Sequence, residues 1–211
     1  MKLLKLETAI ASCLRDIKPK KKINIPLVSA CGHVIAENLS SRRDSPPSDL
    51  SAMDGYAFMH DVNFRENHAL SIIGKSPAGI TFETNVNQGE AVKVYTGSVM
   101  PFGTDTVVIQ ENTKTNASNL ILKKIPKKNE NIRRKGFDFK TGDILIKEGT
   151  KLTPKHISLA ASMNHTTLSV YIKPKIAIIS NGNELVEPGS KDSQNKIISA
   201  NNFGIKAYIE Q

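Results

Sequence analysis

Lys175-Ile176-Ala177-Ile178-Ile179-Ser180 and the turn after it, Asn181-Gly182-Asn183-Glu184-Leu185, set the reading of the fold. Consecutive apolar residues bounded by Pro174 and an Asn-Gly turn have the composition of a short strand buried on both faces of a parallel sheet. Ser199 or Asn201 can then cap a helix running to Gln211, with Phe203 and Ala207 on one face. One strand and one helix make half of a strand–helix–strand unit, whose faces need cover and whose edges need neighbours. No second strand of this type follows in the 211 residues. Residues 174–211 are therefore expected to form the incomplete start of an α/β domain, with another chain completing the sheet or the protein cut short.

Upstream the pattern changes. Residues 56–124 read as short β-like runs divided by turn residues, at 69–73, 91–95, 105–110 and 119–122, with no helical period. That is a compact β-rich unit. Before it, Ser45-Pro46-Pro47-Ser48-Asp49 is a loop, because paired prolines forbid a helix and remove ladder donors. After it, Thr153-Pro154 provides an N-cap and first helical position for a helix over 154–163. Near the start, Ile23, Ile25 and Leu27 alternate like a strand, after a polar break at 18–22 that contains Pro19 and Lys20. Leu3, Leu6, Ile10, Leu14 and Ile17 recur at helical spacing. Ile10-Ala11-Ser12-Cys13 has the look of a lipidated signal cleavage site, but Lys5 and Glu7 interrupt the apolar stretch such a signal needs. A helix and a cytoplasmic protein are expected.

Composition narrows the function classes. Lys and Arg number 29 against 20 Asp and Glu, a formal charge of +9, and hydrophobic residues make up 39%. The apolar runs are far short of the roughly 20 residues that span a bilayer, so a membrane-spanning protein is excluded. Two cysteines exclude a disulfide framework and a four-thiolate zinc site. The five histidines show no metal-ligand spacing. Positive charge concentrates at Lys123, Lys124, Lys127, Lys128, Arg133, Arg134 and Lys135. Such runs are commonly solvated loops; the sharper reading is a surface for phosphate or another oxyanion. Nucleic acid is not expected as the partner, because no aromatic side chains interleave these charges as a stacking surface requires.

Four segments carry candidate chemistry. In Ser51-Ala52-Met53-Asp54-Gly55-Tyr56-Ala57, an Asp beside Gly can hold a hard cation or simply make a turn. Thr96-Gly97-Ser98-Val99-Met100-Pro101 offers hydroxyls and backbone donors to an oxyanion, or closes a hairpin. Arg133-Arg134-Lys135-Gly136-Phe137-Asp138 puts a carboxylate close to two guanidinium groups, as an anion site or a surface ion pair. Asn183-Glu184 follows the expected strand at its carboxyl end, the crevice where α/β sheets bind ligands.

Taken together, these motifs resemble the N-terminal part of the molybdopterin molybdenumtransferase family. The matching pieces are Pro46-Pro47 through Ser51-Ala52-Met53-Asp54-Gly55-Tyr56-Ala57, Thr96-Gly97 with Pro101 and Gly103-Thr104-Asp105, Val107-Val108-Ile109-Gln110-Glu111, Arg133-Arg134 with Gly136 and Asp138, and Ser180 with Gly182, Glu184 and Leu185. The resemblance implies a mixed α+β chain. Residues 1–173 would be the family's N-terminal helix and composite region with a β-rich insert at about 56–135. Residues 174–211 would be the first strand and helix of a truncated α/β molybdopterin-binding domain, with a C-terminal β-barrel beyond it.

The resemblance also implies the chemistry: insertion of molybdate into adenylylated molybdopterin, with Mg²⁺ and release of AMP, at a site formed in a homodimer between the α/β domain of one subunit and the N-terminal region of the other. Asp54, Thr96, Asp138 and Glu184 match catalytic positions. Ser51, Met53, Gly55, Gly97, Arg133, Arg134, Ser180 and Gly182 match cofactor-binding positions, and Asp54 and Glu184 are the metal candidates. A molybdopterin adenylyltransferase and maturation factors of molybdoenzymes are the further partners implied. The chain departs from the family at Ser48, where an aromatic is common, at Asn181 and Asn183 in the turn, and at Ser199-Ala200-Asn201. With most of the α/β domain and the barrel missing, the chain is expected to be inactive alone; the alternative is a non-catalytic dimerisation or binding module.

Overall fold

The computed structural model describes residues 4–18, 21–116, 118–191 and 194–210. Leu3 of the helical stripe, Pro19 and Lys20 of the polar break, and Gln211 at the end of the last helix lie outside the described residues. The chain is mixed α+β and divides into two units, Lys21–Tyr171 and a second composed of Met1–Lys20 with Ile172–Gln211.

The first unit is built on a six-stranded sheet. Its strands are β1 (Gly55–Phe58), β2 (Ala69–Ser76), β3 (Glu90–Val94), β4 (Thr106–Ile109), β5 (Thr113–Asn116) and β6 (Asn119–Leu122), in spatial order β4-β1-β3-β2-β6-β5. All neighbours are antiparallel except β2 and β3, whose parallel register slips between Ile72 and Gly74. Successive side chains on β1 point to opposite faces of the sheet. Tyr56 and Phe58 accordingly join a core with Leu70, Val108, Leu120 and Leu122, while Ala57 packs with Val94 and Val107. Each fully buried Leu or Phe of this kind contributes roughly 1.5–3 kcal/mol.

A second core in the same unit is assembled from chain on either side of the sheet. Lys22–Pro26 pairs antiparallel with Thr167–Tyr171, and alternation turns Ile23 and Ile25 onto the buried Leu168, Val170, Ile35 and Leu152. The helix Pro154–Ser162 starts with proline at its first position, as the sequence requires, and the Thr153 N–H donates to Nδ1 of His156 at 3.1 Å. Two short pairings then hold the connections to the sheet: Leu39–Ser40 with Ile144–Ile146, and Leu50–Ser51 with Ile132–Arg133.

In the second unit the strand expected at 175–180 does not form. These residues carry no strand pairing, and Ile176 and Ile179 are 55% and 86% exposed. A doubly buried strand exists only as part of a ladder, and none of the described residues supplies one. Pairing shifts downstream instead, to a two-residue parallel contact of Leu185–Val186 with Ile197–Ile198. The helix after it does form, as Asn201–Glu210, although Phe203 on it is exposed. The N-terminal helix forms over Leu6–Leu14 and includes Ile10-Ala11-Ser12-Cys13. Its stripe of Leu6, Ile10 and Leu14 is exposed rather than packed. Among the described residues no helix is long and apolar enough to cross a membrane.

Candidate functional site

Three loops of the first unit meet around Ser51. The Ser51 N–H donates to the Ser98 carbonyl at 2.8 Å, and its own carbonyl accepts the Gly97 N–H at 2.9 Å, joining the 49–55 loop to the turn at 96–98. On its other side Ser51 stands opposite Ile132, and the Ala52 N–H donates to the Asn131 carbonyl at 2.9 Å. The Ser51 hydroxyl closes its own loop by donating to the Met53 carbonyl at 2.6 Å. Gly97 lies at φ +85°, a left-handed conformation that favours glycine at the tight turn.

Asp54 projects from this junction with an exposed side chain. Its Oδ1 accepts both the Thr96 N–H, at 2.8 Å, and the Thr96 hydroxyl, at 3.0 Å. The Thr96 N–H, then the Thr96 hydroxyl and the charge of Lys93, hold the carboxyl below its ordinary range. Asp54 is thus ionised and aimed, and its Oδ2 has no hydrogen-bond partner among the described residues. The next residue explains the motif's glycine: a Cβ on Gly55 would lie 1.9 Å from the Val108 carbonyl oxygen. The glycine here provides space for the close approach of β4, since its φ is not in the left-handed region. The structure thus shows a turn in which Asp54 is held by Thr96 and its carboxylate faces solvent.

The basic loop 133–138 is tied down by acidic residues from the proline loop. Asp138 accepts from Arg133 and, at 3.0 Å, from the Ser45 hydroxyl. The Arg133 guanidinium and then Ser45 hold the Asp138 carboxyl down, and Asp138 in turn raises Arg133. Asp49 accepts the Lys135 N–H at 2.8 Å and Arg134 Nη1 at 2.5 Å. Its partial burial pushes the carboxyl up, and those two donors more than reverse the effect. Asp44 takes the Thr141 N–H at 2.7 Å and the Thr141 hydroxyl at 3.0 Å, which lower it. Exposed ion pairs contribute little stability singly; here they are combined with backbone hydrogen bonds that fix where the loop runs.

Sequence reasoning singles out Asp54, Thr96, Arg133, Arg134 and Asp138, and the first unit holds all of them on these converging loops. It assigns no role to Asp44, Ser45 or Asp49, and reads Ser98 only as part of the Thr96 turn. Their partners lie 85 to 97 residues away for the three on the proline loop, so no local spacing marks them. Ser98 is buried and donates to the Ser76 carbonyl at 2.5 Å, fixing the turn from below. Ser180, Gly182 and Glu184 belong to the second unit. Because the strand expected at 175–180 does not form, Glu184 does not sit at a strand's carboxyl end. Its carboxylate folds over Gly182, where a Cβ would meet Oε1 at 2.4 Å, and its carbonyl accepts the Ile197 N–H at 2.7 Å.

The first unit of this α+β chain therefore joins an Asp-Gly loop, locked to a Thr-Gly turn, with a carboxylate-anchored basic loop. Residues 4–164 match the profile of the MoeA N-terminal region (domain I and II), and the chain belongs to that family. Among curated relatives, the molybdopterin molybdenumtransferase of Haemophilus influenzae is 35% identical over 99% of this chain and 52% of its own length. That of a Nostoc species is 32% identical over 89% and 44%. The crystal structure of the molybdopterin biosynthesis moeA protein from Pyrococcus horikoshii superposes with a TM-score of 0.92 at 30% identity, covering 99% of this chain and 57% of that one. The chain spans about half the length of the curated relatives it matches.

Proposed function

We propose that this chain supplies the N-terminal part of a molybdopterin molybdenumtransferase site, which inserts molybdate into adenylylated molybdopterin and releases AMP. The observation that carries the reading is the Asp54 carboxylate, ionised, exposed and aimed by two hydrogen bonds from Thr96. Arg133 and Arg134 on the neighbouring loop retain N–H donors beyond those given to Asp138, Asp49 and Asn129, and these suit the phosphate oxygens of an anionic substrate.

The residues present fit Mg²⁺ in a limited way. Among the described residues no three His, Cys, Asp or Glu side chains cluster as a metal cage. Mg²⁺ commonly keeps several waters and takes one or two carboxylates plus substrate phosphates, and Asp54 offers one such oxygen. When bound, the ion would neutralise charge developing on the phosphoanhydride as it is cleaved. In this chain Asp54 would contribute that ligand or orient the attacking molybdate. Thr96 would keep Asp54 deprotonated, and Ser51, Met53, Gly55 and Gly97 would shape the backbone beside it. Ser180, Gly182 and Glu184 would belong to the α/β side of such a site, which in a homodimer would come from the other subunit, with Glu184 the second candidate for the cation. A homodimer, exchange of substrate with a molybdopterin adenylyltransferase, and a cytoplasmic setting go with this reading.

The chain is expected not to turn over alone. Purified chain mixed with adenylylated molybdopterin, molybdate and Mg²⁺ should release no AMP above background, and AMP at the rate of a full-length relative would refute that. A second reading, a dimerisation or binding module without catalysis, is favoured by the exposed apolar stripe of Leu6, Ile10 and Leu14. Light scattering and AMP release, with and without the C-terminal half of a full-length relative, test it: a dimer that releases no AMP in either case would support the module, and AMP release on adding that half would remove it.

A further inference from the structure

Asp49 ties together the loops that carry the site. Its carbonyl accepts the Met100 N–H at 3.0 Å, at the end of the Thr96 turn. Its carboxylate divides between the Lys135 N–H at 2.8 Å and Arg134 Nη1 at 2.5 Å. The other terminal nitrogen of Arg134 donates to Asn129 Oδ1 at 2.5 Å, so the guanidinium is clamped between two acceptors. One residue further on, Leu50 stands opposite Arg133 in the antiparallel pair, which brings the whole basic loop alongside Ser51.

We infer that Asp49 is a positioning residue, which fixes Arg134 and the Lys135 backbone so that the basic loop meets an anionic ligand already in place. The inference rests on the reading of Arg133 and Arg134 as anion-binding groups. Two physical effects oppose each other at this position. Removing the carboxylate deletes a negative charge and should by itself favour an anion. It also frees a long side chain and a loop, whose re-ordering on binding costs affinity. The double hold, on Arg134 and on a backbone N–H rather than on one flexible lysine, makes the second effect the larger.

Pyrophosphate binding to the full chain tests this, read by calorimetry and by the Lys135 amide resonance. Asp49→Asn removes the charge but keeps an oxygen within reach of the Lys135 N–H, whereas Asp49→Ala removes both. Asp49→Ala should weaken pyrophosphate by about fivefold or more, while Asp49→Asn stays within about twofold of wild type, the scale expected for lost preorganisation of a charged group. A merely structural role would lower the melting midpoint without separating the two variants in affinity. Any result in which Asp49→Ala binds no more weakly than Asp49→Asn overturns the inference. Should Asp49→Ala fail to fold, Asp49→Ser, too short to span to Arg134, takes its place in the same comparison. The double variant Arg133→Ala, Arg134→Ala separates the two claims. Binding equal to wild type there overturns the anion reading, and the role of Asp49 with it, whereas loss there with no effect at Asp49 overturns the role of Asp49 alone.

Discussion

Replacing Gly55 with alanine asks whether the site loop depends on the close approach of two strands. A Cβ at this position would stand 1.9 Å from the Val108 carbonyl oxygen, 2.9 Å from its carbon and 3.1 Å from Ile109 Cα, all of them backbone atoms that no rotamer change can move. Ordinary contact begins at 3.4 Å, so β1 and β4 must separate at the end where Gly55 pairs with Ile109. Overpacking of this kind costs about 1–3 kcal/mol, and loosening one ladder hydrogen bond adds about 1 kcal/mol. The smaller conformational freedom of alanine in the unfolded chain returns about 0.5–1 kcal/mol. The balance is a loss of about 1–3.5 kcal/mol, or about 2–14 °C in melting midpoint for a unit of this size. Thermal unfolding followed by circular dichroism measures it. The same shift moves Asp54, whose carbonyl accepts the Gln110 N–H at 3.1 Å, so the Thr96 amide resonance should move as well. A Gly55→Ala protein melting within about 1 °C of wild type would refute the steric argument, since overpacking on the scale expected here could not pass unnoticed.

Leu120→Ala empties a fully buried position of the sheet core and should cost about 2–5 kcal/mol in chemical denaturation. Asp44 has a folded-state pKa below its ordinary value of 3.8, set first by the Thr141 N–H. A depressed carboxylate contributes stability above its unfolded pKa and loses it as pH falls through the folded value. The gap in melting midpoint between wild type and Asp44→Asn should therefore be constant above pH 3.8 and narrow below it; a gap that widens on acidification would contradict the hydrogen-bond assignment. Cys13 and Cys31 are both free and exposed, so a thiol reagent should titrate two groups per native chain without denaturant, and a single equivalent would place one of them in a protected environment.

The parts of the fold legible in the sequence are those decided locally. Alternation puts Ile23 and Ile25 on one face of a strand, Thr153-Pro154 starts a helix, and the short β-runs between 69 and 122 become strands β2, β3, β4 and β6. The edge strand β5, Thr-Lys-Thr-Asn with only Thr113 buried, carries no apolar alternation and is held by its ladder with β6. The run at 175–180 fails for the converse reason. Its composition is that of a buried strand, but a strand of that type needs neighbours that the described residues do not provide. At the site, Asp54 and Thr96 are visible because they lie in short, distinctive strings. Asp49 and Asp44 are not, because what gives them meaning is a contact with a loop more than eighty residues away.

The central claim is that the Asp54–Thr96 junction belongs to a molybdate-inserting site. The direct measurement is AMP release by a chimera in which residues 1–211 replace the matching part of the Haemophilus influenzae relative, which is 35% identical over that span. The chimera should release AMP from adenylylated molybdopterin in the presence of molybdate and Mg²⁺. Asp54→Ala in the same chimera should lower the rate by about 100-fold or more, the scale of losing one group that stabilises charge in the transition state. An Asp54→Ala chimera that works at the unaltered chimera's rate would contradict the account.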